Sequence, residues 1–133
     1  MSVKRFGVSL DEEILKTLDK LVIEQNFPNR SQAIRHLIKH YDIQYQWKQN
    51  EIVTGAITLL YSHKERDIEN HIADTQHSYP CLVQASQRVM LEQDMCFVSI
   101  IVSGKAERLI RMINKLNGIK GIENANLIMS SKE

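Results

Sequence analysis

At 133 residues, with 43% apolar and 25% charged side chains, the chain has the composition of a globular protein of one ordinary domain or two small ones. No window approaches the ~18 to 20 apolar residues of a membrane-crossing helix, and no N-terminal apolar run resembles a secretion signal, so a cytoplasmic location is expected. The net charge of +1 excludes little, but residues 1–48 carry eight Lys and Arg against six Asp and Glu, a mild basic excess that permits nucleic-acid binding. Cys81 and Cys96, in a reducing compartment, read as free thiols or metal ligands rather than a disulfide.

Over Met1 to Leu10, Phe6, Val8 and Leu10 alternate with Arg5, Gly7 and Ser9, the period of a strand with one buried face. Two helix-like segments follow and no second strand. A lone strand leaves its backbone groups unpaired, and the simplest partner is the same strand of a second copy. Asp11-Glu12-Glu13 is a good helix start, and Ile14, Leu15, Leu18, Leu21 and Val22 make one apolar stripe. Asn26-Phe27-Pro28-Asn29 breaks it. Ser31 is the natural N-cap of the next helix, whose stripe is Ala33, Ile34, Leu37, Ile38 and Tyr41. So small a unit cannot bury both stripes alone; a swapped dimer provides a shared core.

Asn29-Arg30-Ser31-Gln32-Ala33-Ile34-Arg35 resembles the N-R-S-E-A-I-R signature of ribbon-helix-helix transcription factors. The resemblance implies that paired strands enter the DNA major groove, with Arg5, Gly7 and Ser9 as the outward row. Arginine reads guanine bidentately and serine donates or accepts, whereas Gly7 brings no side chain. The helix start at Arg30 and Ser31 would aim its N–H groups at a phosphate.

Tyr45 to Glu51 reads as helix end and linker, dividing a 1–48 unit from a 52–133 unit. In the second, Ile52 to Tyr61 is a strand, and Ser62-x-x-Glu65 has capping-box spacing ahead of Ile68 and Ile72. Leu82 to Leu91 alternates, with Val83, Ala85, Val89 and Leu91 on one face and Gln84, Ser86, Arg88 and Met90 on the other. Cys96 to Val102 is a third strand. Ala106 to Leu116 is a helix that buries Leu109, Ile110, Ile113 and Leu116, and Glu123 to Met129 is a last strand. The order βαββαβ gives a ferredoxin-like sheet with both helices on one face. The other face lacks a cover within the chain, and the row ending in Arg88 and Met90 is expected at a subunit interface. The fold class is α+β.

A ribbon-helix-helix unit joined to such a domain resembles the NikR-type nickel-responsive regulators, whose C-terminal domain is ACT-like. Leu60-Tyr61-x-His63-x-x-Arg66-Asp67 and Thr75-Gln76-His77 carry the resemblance along with the N-R-S core. It implies a homotetramer, two DNA-binding dimers around a core of ACT-like domains, repressing transcription from a palindromic operator. It also implies square-planar nickel held by the T-Q-H histidine of one subunit and by a His-x-His pair and a cysteine of another. Here His77 and Cys96 stand at two of those positions, while Arg88 and Met90 occupy the His-x-His pair. Arginine cannot ligate and a thioether is a poor match for Ni(II). Gln32 and His36 likewise replace acidic groups that the family uses to hold a cation.

Three possibilities for the effector stay open. One is another metal held by a set drawn from His77, Cys96, Met90, Cys81 and His63, which favours Cu(I) or Zn. Another is a small molecule at the ACT-like interface. The third is no effector, with Arg88 as a fixed positive charge in the metal's place. An antitoxin-like module that binds DNA and a protein partner is a competing class, opposed by the ordered character of the C-terminal segment. No residue set has motif-level support for catalysis.

Overall fold

A computed structural model describes residues 2–132; Met1 and Glu133, the outermost positions of the two expected units, lie outside the described residues. The chain divides into two compact units, residues 1–41 and 42–133.

In the first unit, residues 2–11 form neither helix nor ladder within the chain. Helix α1 (Glu12–Glu24) follows, and the Asp11 side chain accepts from the Ile14 N–H at 2.9 Å while Glu12 and Glu13 sit at the positive end of the dipole. Asn26, at φ +56°, ends it in the left-handed region that asparagine tolerates. Helix α2 (Arg30–Lys48) is capped earlier than expected. Asn29, not Ser31, is the N-cap: its side-chain oxygen accepts from the Gln32 N–H at 2.9 Å. Asparagine and serine cap equally well, and the first to meet the helix takes the role. Arg30 then reaches back to Asp19 with two hydrogen bonds of 2.8 and 3.0 Å, tying α2 to α1.

The expected linker is also helical in large part. Helix α2 continues through Tyr45 to Lys48, and Trp47 is buried with its ring N–H donating to the Ser130 carbonyl at 2.9 Å. Gly55 lies beneath it: an added Cβ would stand 3.4 Å from the Trp47 ring and 2.8 Å from the Ile128 carbonyl oxygen. Residues 45–48 are therefore part of a packed element, because the indole has a core to enter.

The rest of the second unit runs β1 (Ile52–Ser62), α3 (Ile68–Ser78), β2 (Val83–Met90), β3 (Met95–Lys105), α4 (Ala106–Asn117) and β4 (Ile122–Met129). The four strands form one antiparallel sheet in the order β2-β3-β1-β4. Strand β1 alternates strictly, with Val53, Ile57, Leu59 and Tyr61 buried on one face. Helices α3 and α4 cover that face through Ile68, Ile72, Leu109, Met112 and Leu116. Ile110 is exposed and Met112 takes its place in the core, since the buried stripe of α4 is centred on the line from Leu109 to Leu116. The capping box at Ser62 does not form. Ser62 closes β1, its hydroxyl accepts from the Lys64 N–H at 3.3 Å, and α3 starts only after Asp67 at φ +63°.

The expected side of Arg88 and Met90 is also overturned. Arg88 pairs with Val98 and Met90 with Cys96 across β2 and β3, so both share the helix-covered face. The bare face instead carries Val89 beside Phe97, then Gln87 beside Ser99 and Thr58, then Ala85 beside Ile101, Ala56 and Ile128. A shift in register between Val83 and Ala85 accompanies this arrangement.

Candidate functional site

In the first unit the alternation of residues 5–10 has a spatial counterpart. Phe6, Val8 and Leu10 line an apolar groove of about 450 Å3 with Ile14, Leu18 and Leu37, whereas Arg5, Gly7 and Ser9 are not among its walls. All six of these N-terminal residues are exposed, Phe6 to 76% and Val8 to 58%, so the apolar row has a groove but no cover. A side chain added at Gly7 would meet open space. Arg30 does not stand ready as a cation: its guanidinium is held by Asp19, whose carboxyl that hydrogen bond pulls below the usual carboxylate range. Ser31 lies in the first turn of α2, where backbone N–H groups lack intrahelical acceptors.

In the second unit the ends of β1, β2 and β3 meet the start of α3. Cys96 on β3 stands between Tyr61 on β1 and Met90 on β2 in register, and its thiol lies 3.5 Å from the Met90 sulfur. Glu69, in the first turn of α3, gathers three groups. Arg88 is ion-paired to it, the Tyr61 hydroxyl donates to it at 3.3 Å, and His63 Nδ1 lies 3.5 Å away. The Tyr61 oxygen and the Glu69 charge both raise the Arg88 guanidinium further. Burial pushes the Tyr61 hydroxyl up to about 12, opposed by the Arg88 hydrogen bond and assisted by the Glu69 charge. The Arg88 and Glu69 side chains are each about half exposed, at 49% and 47%. At that exposure the pair adds little to stability, and its importance is where it fixes the charges.

The ligating atoms of His63, Glu69 and Cys96 lie within 4.8 Å of one another. His77, on α3, is not one of them; it lines an adjoining pocket of about 210 Å3 that Tyr61, Glu69 and Arg88 also line. Cys81 is exposed, between α3 and β2, and His36 and His40 stack on α2 with ring centres 6.5 Å apart. Sequence reasoning missed Glu69. A glutamate in the first turn of a helix has an ordinary reason to be there, and nothing local marks it as the hub of a cluster.

The sequence profile of the NikR C-terminal nickel binding domain matches residues 54–130, and that of ribbon-helix-helix proteins of the copG family matches residues 4–45. A protein of Syntrophus aciditrophicus described as a nickel-responsive regulator is 37% identical over 96% of this chain and 93% of its own length. One of Thermococcus kodakarensis, described in the same words, is 35% identical over 98% and 95%. The ACT domain of a GTP pyrophosphokinase of Chlorobium tepidum matches at a TM-score of 0.51 with 9% identity, covering 58% of this chain and 99% of that one, a likeness of fold. Nickel, which the domain description names, does not fit the residues present. The Arg88 guanidinium keeps its proton and its bond to Glu69, and Met90 offers a thioether, so two of the four ligand positions carry groups that do not suit nickel.

Proposed function

The chain belongs to the family of nickel-responsive transcriptional regulators, and from that premise we propose that two copies pair their N-terminal segments into a ribbon that represses transcription by reading a palindromic operator. The observation that carries the proposal is the apolar groove of about 450 Å3, walled by Phe6, Val8 and Leu10 and left uncovered. A second copy, packed with its own segment antiparallel to the first, supplies both the missing ladder and the missing cover. The ribbon's outward row is then Arg5, Gly7 and Ser9. Arg5 bonds a guanine edge, Ser9 donates or accepts, and Gly7 lets the backbone come close without reading. Ser31 and the first N–H groups of α2 hold a backbone phosphate. Arg30 supports this contact from its bond to Asp19. The second units join two such dimers into a tetramer through the bare sheet face around Phe97, Ile101 and Ile128, all exposed in the single chain. The protein acts in the cytoplasm by binding, not by catalysis.

The test is selection of bound duplexes from a random DNA pool by the full-length protein, followed by gel shifts across a salt series. A two-fold symmetric consensus and an affinity that falls steeply with salt are expected. Asymmetric sites, or salt-insensitive binding, would falsify the ribbon assignment.

A further inference from the structure

We propose that Cys96, Met90 and His63 form a binding site for monovalent copper, and that Arg88 keeps divalent ions out of it. The set keeps the cysteine of the family's nickel positions, puts a thioether where one of its histidines stood, and adds His63 from outside them. The inference stands on the geometry of the second unit and does not depend on how the first unit meets DNA.

Three side chains at the rim of the sheet supply the ligands of the site. The Cys96 sulfur is buried and lies 3.5 Å from the Met90 sulfur. Two sulfurs bonded to one trigonal ion at about 2.3 Å each stand about 4 Å apart, so roughly half an ångström of opening admits the ion. A ring nitrogen of His63 belongs to the group of ligating atoms gathered within 4.8 Å around the same thiol. Met90 is 52% exposed and the His63 side chain 49%, which gives an ion a path from solvent to the buried thiol. Cys81, the other cysteine, is exposed and is not part of this group.

The ligand types select the ion. Thiolate, thioether and imidazole together suit soft Cu(I), which accepts three ligands, and suit poorly a nickel ion that asks for four in a plane. Charge selects more sharply. Glu69 would be the natural fourth, hard ligand for zinc, but Arg88 is bound to that carboxylate and cancels its charge. The remaining ligand charge is the single thiolate. A monovalent ion there gives a neutral centre, whereas a divalent ion leaves a net positive charge that no remaining carboxylate offsets. On binding, the Cys96 S–H bond breaks, its proton passes to solvent, and the sulfur pair bonds the copper with no change of oxidation state. Glu69 stays in place as the outer partner of His63, 3.5 Å from Nδ1, and the other ring nitrogen, Nε2, is the one offered to the ion.

The experiment is anaerobic titration of the full-length protein with Cu(I) in competition with bicinchoninate, and with Zn(II) and Ni(II) in parallel. One tightly held Cu(I) per chain is expected, with two sulfur neighbours by X-ray absorption. M90L and H63Q, both at exposed positions and checked for fold by circular dichroism, should each weaken Cu(I) at least tenfold, while C81S leaves it unchanged. R88M should strengthen Zn(II) at least tenfold. Cu(I) binding indifferent to M90L and H63Q, or displacement of Cu(I) by equimolar Ni(II) or Zn(II), overturns the site. Unchanged Zn(II) affinity in R88M overturns the role given to Arg88.

Discussion

The two units solve the problem of burial in opposite ways. In residues 42–133 a four-stranded sheet buries one face under two helices, and Ile57, Leu59, Ile100, Leu109 and Leu116 are fully enclosed by their own chain. In residues 1–41, Leu18 and Ala33 are the buried apolar side chains, while Phe6, Val8, Ile14, Leu37 and Ile38 face outward. The difference is one of area rather than of sequence quality. Forty residues with two amphipathic helices offer two apolar stripes and no third layer, so within one chain the stripes stay open. In the first unit, exposure in one chain thus does not tell surface from proposed interface.

The substitution that breaks this comparison most severely is Phe6→Glu. Judged on the single chain, a side chain 76% exposed should tolerate a charge within about ±0.5 kcal/mol. Judged as half of a shared core, the same change places two carboxylates beneath the ribbon and removes two rings. That is worth more than about 3 kcal/mol per ring, and operator affinity should fall at least a hundredfold. Gel shifts and sedimentation together distinguish the outcomes; unaltered association by F6E would show that the groove is ordinary surface.

Trp47→Ala is the matching break in the self-sufficient unit. It deletes a ring seated over Gly55 and the 2.9 Å bond to the Ser130 carbonyl. A loss of about 3 to 5 kcal/mol is expected in urea unfolding, by the cost of truncating a buried aromatic side chain. This residue also marks how far the sequence could be read. Strand and helix order in the second unit follow from periodicity, because alternation in β1 and the Leu109, Ile113, Leu116 spacing in α4 report local geometry. Trp47 sits in a polar stretch, Tyr45 to Glu51, and its burial depends on a partner 83 residues away. The same limit hid Glu69. The face of Arg88 and Met90 was misread for a related reason: alternation separates two faces but does not say which one the helices cover. Family resemblance marks Cys96 and His77 as candidate ligands from different subunits, and the fold adds that Glu69 lies both in the Cys96 cluster and in the pocket of His77.

A smaller effect tests the cluster itself. The Tyr61 hydroxyl is held protonated to about 12, against an ordinary value near 10 in an unfolded chain. The folded state therefore binds more protons than the unfolded state between those values. Stability from this group is fully present below about pH 10 and is lost as pH rises toward 12. Denaturation followed across that window should show Tyr61→Phe losing less stability than the unmodified chain, with ultraviolet absorbance of the phenolate reporting one late-titrating tyrosine. Equal slopes for the two proteins would mean that burial of Tyr61 is not felt by its hydroxyl.

The smallest effect separates two neighbours at the start of α2. Asn29 accepts from the Gln32 N–H and so carries the cap; Ser31 lies inside the first turn, past the capping position. Asn29→Ala should cost about 1 kcal/mol of stability, the usual value of an N-cap side chain. Ser31→Ala should stay within about ±0.5 kcal/mol in the same thermal melts. In operator binding the order reverses if Ser31 touches a phosphate: Ser31→Ala then weakens binding evenly over all DNA sequences, and the salt dependence becomes shallower if a neighbouring cation leaves its phosphate as well. Melting curves and gel shifts on the two variants therefore assign each residue one role. A serine variant that melts early but binds normally would return the cap to Ser31 and leave the phosphate to the backbone of α2 alone.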